Sequence, residues 1–346
     1  MTRPELRLSS GALRANVEAV RARIAPSALM LVLKDDAYGH GLSWAVETAV
    51  DSGVEWFGSY DIRSAIAVRR VAGGDVRIFA WVTSTDGEID DALLQRIDLG
   101  VGTIEYLRRI IARAEALGTS ARVHLKIDTG LHRNGILPED WVSAVIEARQ
   151  AERAGHLDIE GVWSHIAEAS DADDDVAQTV FLDAVRVVGE SGTTPAALHL
   201  TASAASWWRP ELRGTMSRIG AFCYGVRSAD GPELEGIRPA ASLIATVTDI
   251  ADNEATIGIG SFDGLPSSLS GAGVGTPGGK RELTSIGHTT SVVRSWPGAR
   301  IGDEVVVFGD GAHGEESATT LAERIDTVGE EILTRLTSRV RRVVAD

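Results

Sequence analysis

The chain has 346 residues, 44% of them apolar and 24% charged, with a formal net charge of −15. That length predicts one large α/β domain plus a smaller one, and the acidic balance excludes nucleic acid and anionic membranes as partners. The single cysteine, Cys223, excludes an internal disulfide, and no Cys/His spacing suits zinc.

No apolar run approaches the roughly 18 residues of a membrane span. The opening "MTRPELRLSS" lacks the apolar core of a signal peptide, so a cytoplasmic location is expected.

Through residue 225, β-rich runs alternate with longer amphipathic stretches. In chain order the expected strands are ALMLVL (28–33), VEWFGS (54–59), VRIFAW (76–81), RIDLGV (96–101), RVHLKID (122–128), IEGVWSH (159–165), ALHL (197–200) and RIGAFCYG (218–225). Between them lie helical patterns such as TIEYLRRIIARAEALG, where Ile104, Leu107, Ile110 and Ile111 share a face and Gly118 stops the run. Eight strands interleaved with helices point to an α/β fold of the (β/α)8, TIM-type barrel kind. A doubly wound sheet is the alternative, but no Gly-rich dinucleotide turn follows the first strand.

After Gly225 the texture changes. ASLIATVTDI, EATIGIGS, RELTSIGHTTSVV and DEVVVFG read as strands without long helices between them. The expected division is a barrel over 9–230 and a smaller, mostly β C-terminal domain over 231–346, joined by 1–8. DGLPSSLSGAGVGTPGGK (263–280) reads as an exposed mobile loop, and ESATTLAERIDTVGEEILTRL (316–336) as a terminal helix or helix pair.

Barrel chemistry sits at the carboxyl ends of strands. Those ends carry Lys34, Lys126, Asp128, His165 and His199, with Arg218 opening the last strand region. A lysine buried at a strand end titrates readily and suits Schiff-base chemistry, although a solvent-reaching lysine is the plain alternative. His165 and His199 read equally as satisfied core histidines, and Lys126 as a partner of Asp128. His124 and His132 suggest no task.

VLKDDAYGHG (32–41), VHLKIDTGLHRNG (123–135), GVWSHIAEAS (161–170), HLTASAA (199–205) and SRIGAFCYG (217–225) together resemble, in order, the motifs of the alanine racemase family of fold-type III pyridoxal-phosphate enzymes. The likeness implies pyridoxal 5'-phosphate as cofactor, a small amino acid as substrate, a homodimer and no metal. It implies Lys34 as the Schiff-base lysine and a proton-transfer base. It assigns the cofactor phosphate to Tyr38, Ser203 and the backbone N–H groups of Gly220 and Ala221. Arg218 would face the pyridine nitrogen, Arg133 the phenolic oxygen, and His165 would lie beside Arg218. An arginine there keeps its proton and so favours proton exchange over transamination. Lys126 matches a position carbamylated in some relatives.

The pattern breaks in the second domain. The family's second base is a tyrosine from the partner's β-domain, yet the four tyrosines here are Tyr38, Tyr60, Tyr106 and Tyr224. TVTDIADNEATIGIG joins two strands by a tight turn where that tyrosine's segment would lie. Ser261 replaces a tyrosine in GSFDG, a late phosphate-binding tyrosine aligns near Glu330, Ala202 replaces an asparagine, and Asp35-Asp36 a less acidic pair. Substitute bases would be His288 or Asp263. The readings this leaves are a divergent racemase or epimerase, a one-base enzyme of different reaction, and a cofactor-binding protein without turnover.

Overall fold

In the computed structural model, which describes residues 3–346, the strands form two sheets of eight. By density of contacts the chain divides into two compact units. One comprises Val20–Lys34 and Ala49–Gly220; the other comprises Met1–Ala19, Asp35–Thr48 and Ala221–Asp346.

Strand β1 (Glu5–Leu8) belongs to the second of these units. The first holds β2 (Ala28–Val32), β3 (Trp56–Ser59), β4 (Arg77–Ala80), β5 (Asp98–Val101), β6 (Ala121–Lys126), β7 (Leu157–Trp163), β8 (Ala197–His199) and β9 (Met216–Ile219). Their order is β8-β7-β6-β5-β4-β3-β2-β9 and every ladder is parallel. Strand order never reverses in the interior, which removes the doubly wound alternative. β8 and β9 close the ring where the Leu198 N–H donates to Thr215 Oγ1 at 2.8 Å. Gly214 allows that approach, since a Cβ there would stand 2.0 Å from the Leu198 carbonyl oxygen.

The strands read as continuous apolar runs because both faces are covered. Inside the barrel Met30, Phe79, Trp163, Ala197 and Met216 pack as one cluster, with Trp56 and Trp81 against it. Connecting helices begin at side-chain caps: Asp61 accepts from Ser64 N–H, Thr103 from Tyr106 N–H, and Thr85 forms a capping box with Glu88. Gly118, in the left-handed region, ends Ile104–Leu117 as its sequence predicts.

The other sheet contains β10 (Ala241–Ala251), β11 (Glu254–Ile257), β12 (Gly273–Thr276), β13 (Gly279–Ile286), β14 (Ser291–Arg294), β15 (Glu304–Phe308) and β16 (Arg341–Val344). Its order is β11-β14-β13-β12-β15-β10-β1-β16, antiparallel except for the β1–β16 pair. The tight turn expected between two strands is the Asp252-Asn253 connection of β10 to β11. The expected terminal helix pair is Ala318–Glu323 and Gly329–Thr334.

Three local expectations are corrected. The segment 263–280 is no mobile loop: Leu265, Leu269, Ala272 and Val274 are fully buried and β12 pairs with β13 and β15. Its glycines serve tight packing, which composition cannot distinguish from flexibility. RIGAFCYG is not one strand, because β9 ends at Ile219 and Ala221–Tyr224 is a 3-10 turn. Arg218 therefore lies within β9 instead of opening it. RELTSIGHTTSVV splits into β13 and β14 around Gly287–Thr290, where the Gly287 N–H donates to the Thr290 carbonyl.

Candidate functional site

Arg218 is the hub of the barrel unit. It is buried, and its guanidinium is fixed by acceptors from two neighbouring strand ends. Nη1 donates to the His199 carbonyl at 2.7 Å and faces His199 Nδ1 at 3.1 Å. Nη2 donates to the Ser164 carbonyl at 2.8 Å, with the Leu200 carbonyl and His165 Nδ1 each at 3.3 Å. Among the described residues no acceptor meets Nε, so one N–H of a buried arginine is left open to a ligand. Burial first, and then the Arg133 charge, bring the guanidinium down to about 9.

Around it stand the other strand-end groups of this unit. Lys34 lies two residues past β2 and is half-buried. His165 lies two residues past β7 and is lowered to about 3 by burial, then by Arg218, Arg133, Lys126 and Lys34. It is a neutral ring among cations. Lys126 ends β6 with Nζ 4.5 Å from the Trp163 ring centroid, and burial with Arg218 and Arg133 lowers it to about 8. It does not pair with Asp128, whose carboxylate takes the Gly130 and His132 N–H groups and the His132 ring. Arg133 is exposed. Ser203 Oγ accepts the Gly220 N–H at 3.2 Å.

In the other unit, Tyr38 is buried and its hydroxyl takes the Ala221 N–H. Burial, then the charge of Glu330, pushes its ionisation to higher pH and keeps the hydroxyl protonated. Its ring lies 5.2 Å from that of the fully buried Tyr224. Residues Asp35 to Tyr38 all have φ near +55°, a left-handed turn that costs about 1–2 kcal/mol per residue. Aspartates tolerate that region through local hydrogen bonds, and Asp36 Oδ1 does accept the Leu42 N–H at 2.7 Å. Such strain concentrates at functional sites. Asp263 is engaged by Arg339 at 2.8 Å and by the Gly260 N–H, whereas His288 is exposed and stacks on Phe262.

Sequence reasoning missed His124 and Asp98. His124 Nδ1 lies 2.8 Å from His199 Nε2, and its Nε2 lies 3.3 Å from Asp98 Oδ2. A histidine on a barrel strand carries no local sign of such a partner.

Basic and imidazole groups gathered at the carboxyl ends of an eight-stranded parallel barrel place the chain among the (β/α)8-barrel enzymes. The family models "Alanine racemase, N-terminal domain" and "Alanine racemase, C-terminal domain" match residues 8–228 and 245–344. The alanine racemase of Thermobifida fusca is 34% identical over 364 residues, spanning 98% of this chain and 97% of that protein. That of Beutenbergia cavernae is 34% identical over 373 residues, spanning 96% and 95%. The solved alanine racemase from Streptomyces coelicolor superposes with a TM-score of 0.91 at 31% identity, covering 99% of this chain and 98% of that one. The chain belongs to the alanine racemase family.

Proposed function

We propose that this protein is a pyridoxal-phosphate-dependent racemase or epimerase acting at the α-carbon of an amino acid. The observation that carries the reading is the buried Arg218, with both Nη atoms held by protein acceptors and Nε–H open. A guanidinium that keeps its proton at neutral pH suits an unprotonated pyridine nitrogen. The residues fit the cofactor: Lys34 would join it, Arg133 would meet its phenolic oxygen, and His165 would flank Arg218. Ser203 and the Gly220 N–H are the proposed phosphate ligands of the barrel unit, and Tyr38 and the Ala221 N–H those of the other; the phosphate would take over the two N–H groups that these side chains now accept. Bound pyridoxal phosphate supplies the electron sink that acidifies an attached α-C–H.

Within that frame Lys34 takes and returns the α-proton on one face. Its neighbours, neutral His165 and cationic Arg218, leave it as the base on that side. Lys126, lowered to about 8, has a neutral fraction available for carbamylation. A homodimer in the cytoplasm is part of the same proposal, as in the family the partner's β-domain completes the site.

A second reading, one-sided proton transfer by Lys34 or binding without turnover, is favoured by two observations. No tyrosine follows Tyr224, and Asp263 is already tied to Arg339.

The test is optical. The purified chain with added pyridoxal phosphate should show a visible band that borohydride bleaches and that Lys34→Ala lacks. A colourless wild-type protein in excess cofactor would refute both readings. With the band present, α-proton exchange in D₂O with inversion supports racemisation, while exchange with retention supports the one-sided reading and no exchange supports binding alone.

A further inference from the structure

The interior of the barrel connects Arg218 to a carboxylate at the start of β5. Arg218 Nη1 faces His199 Nδ1 at 3.1 Å, His199 Nε2 faces His124 Nδ1 at 2.8 Å, and His124 Nε2 faces Asp98 Oδ2 at 3.3 Å. Asp98, His124 and His199 are all fully buried. The two ends of this line fix its direction. Arg218 is only a donor, so His199 must accept at Nδ1 and carry its proton on Nε2. His199 then donates to His124 Nδ1, which places the His124 proton on Nε2, facing Asp98. Asp98 as a carboxylate only accepts. A second proton on either ring would set two N–H groups face to face, so the line admits a single arrangement.

The surroundings are built for it. Against the cost of burial, the His124 hydrogen bond first, then Arg77 and Arg122, whose Nε lies 2.7 Å away, hold the Asp98 carboxyl below the usual range. A bulge between β6 and β7 sets Gly161 opposite His124. A Cβ at Gly161 would stand 2.3 Å from His124 Nδ1, so only glycine leaves room for the ring. Phe79 packs against His124 and His199 at ring distances of 4.7 and 5.3 Å, and Trp163 stacks on His199 at 5.7 Å. No water is needed to complete the line.

We propose that Asp98 is a positioning residue for Arg218, acting through a one-way hydrogen-bond line across His199 and His124 that fixes both tautomers and holds the guanidinium with Nε–H open. The role assigned to that Nε–H rests on the function proposed above; the direction of the line does not. The consequence is that Arg218 is aimed from inside the barrel, by residues that are themselves fully buried.

Long-range ¹H–¹⁵N spectra of the full chain, labelled on histidine, test the direction with and without pyridoxal phosphate. His124 and His199 should both appear as Nε2–H tautomers, and an Nδ1–H signal from either ring overturns the proposal. The coupling is tested by two substitutions at one place. His124→Gln keeps an acceptor towards His199 and a donor towards Asp98, while His124→Leu removes both. Cofactor binding, followed by absorbance, should be nearly unchanged in His124→Gln and about tenfold weaker in His124→Leu, the scale of one buried unpaired donor. Equal weakening in the two variants, or none in His124→Leu, overturns the positioning role. If His124→Leu does not fold, the tautomers and the retained affinity of His124→Gln still decide. If the wild-type chain binds no pyridoxal phosphate, the proposed function fails, while the tautomers still test the line.

Discussion

Lys126 Nζ lies 4.5 Å from the centroid of the Trp163 indole, a cation–π contact inside the barrel. That face tolerates the ammonium, but burial and two arginines lower the amine to about 8. The sign follows from proton counting. The unfolded chain holds this proton up to its ordinary 10.5, the folded chain only to about 8, so this residue adds stability as pH rises from 8 to 10.5. Chemistry follows the same number. In ¹³C-bicarbonate at pH 8, a carbamate resonance should appear and be missing in Lys126→Arg; the same resonance in the variant would assign it elsewhere.

Three buried or half-buried histidines should make acid unfolding steep. Burial lowers His40 to about 4 and, with neighbouring cations, His165 to about 3, and takes His199 well below its usual value. Each folded pKa lies below the unfolded one, so the unfolded chain gains the proton first and stability falls as pH drops below about 6.5. The fully buried His40 and His199 should each contribute up to about 1.4 kcal/mol per pH unit in that window, and the half-buried His165 less. Urea denaturation at pH 7 and pH 5 measures the slope. His40→Phe should flatten it, and an unchanged slope would show that His40 titrates normally.

Glu330 bears on the phosphate proposal through Tyr38. After burial, its charge is the largest influence raising the Tyr38 hydroxyl, which also takes the Ala221 N–H. A phosphate brought to that hydroxyl meets the same negative charge. Glu330→Gln should therefore tighten pyridoxal phosphate binding by about three- to tenfold, an effect that shrinks in high salt. Tyr38→Phe should weaken it by about tenfold through loss of one charge-assisted hydrogen bond. Identical affinities in the Glu330 variant and the parent would place the phosphate away from Tyr38.

Proton transfer is assigned to Lys34. With the cofactor present, Lys34→Ala should lower α-proton exchange of an accepted amino acid in D₂O by about a thousandfold, the scale of a positioned general base. His288→Ala separates the two faces: exchange should persist, because His288 is exposed and stacked on Phe262. Loss of inversion in that variant would identify His288 as the second base.

The sequence by itself determined the elements and the anchors. Alternation of β-rich runs with amphipathic helices pointed to a barrel, and local chemistry marked it: the Gly118 stop and the strand that ends near Lys34. The five motifs in order were also legible, because each is a contiguous run. Segment 263–280 misled, because glycine that permits close strand packing and glycine that permits motion look alike in a composition. Only the tertiary structure decided what His124 and Asp98 are for. Asp98 is 26 residues from His124, and His124 is 75 from His199, so no local pattern couples them. Their hydrogen bonds exist because closing a parallel barrel brings inward-facing side chains of distant strands onto one axis, and burial then makes each leftover donor expensive enough to fix every proton.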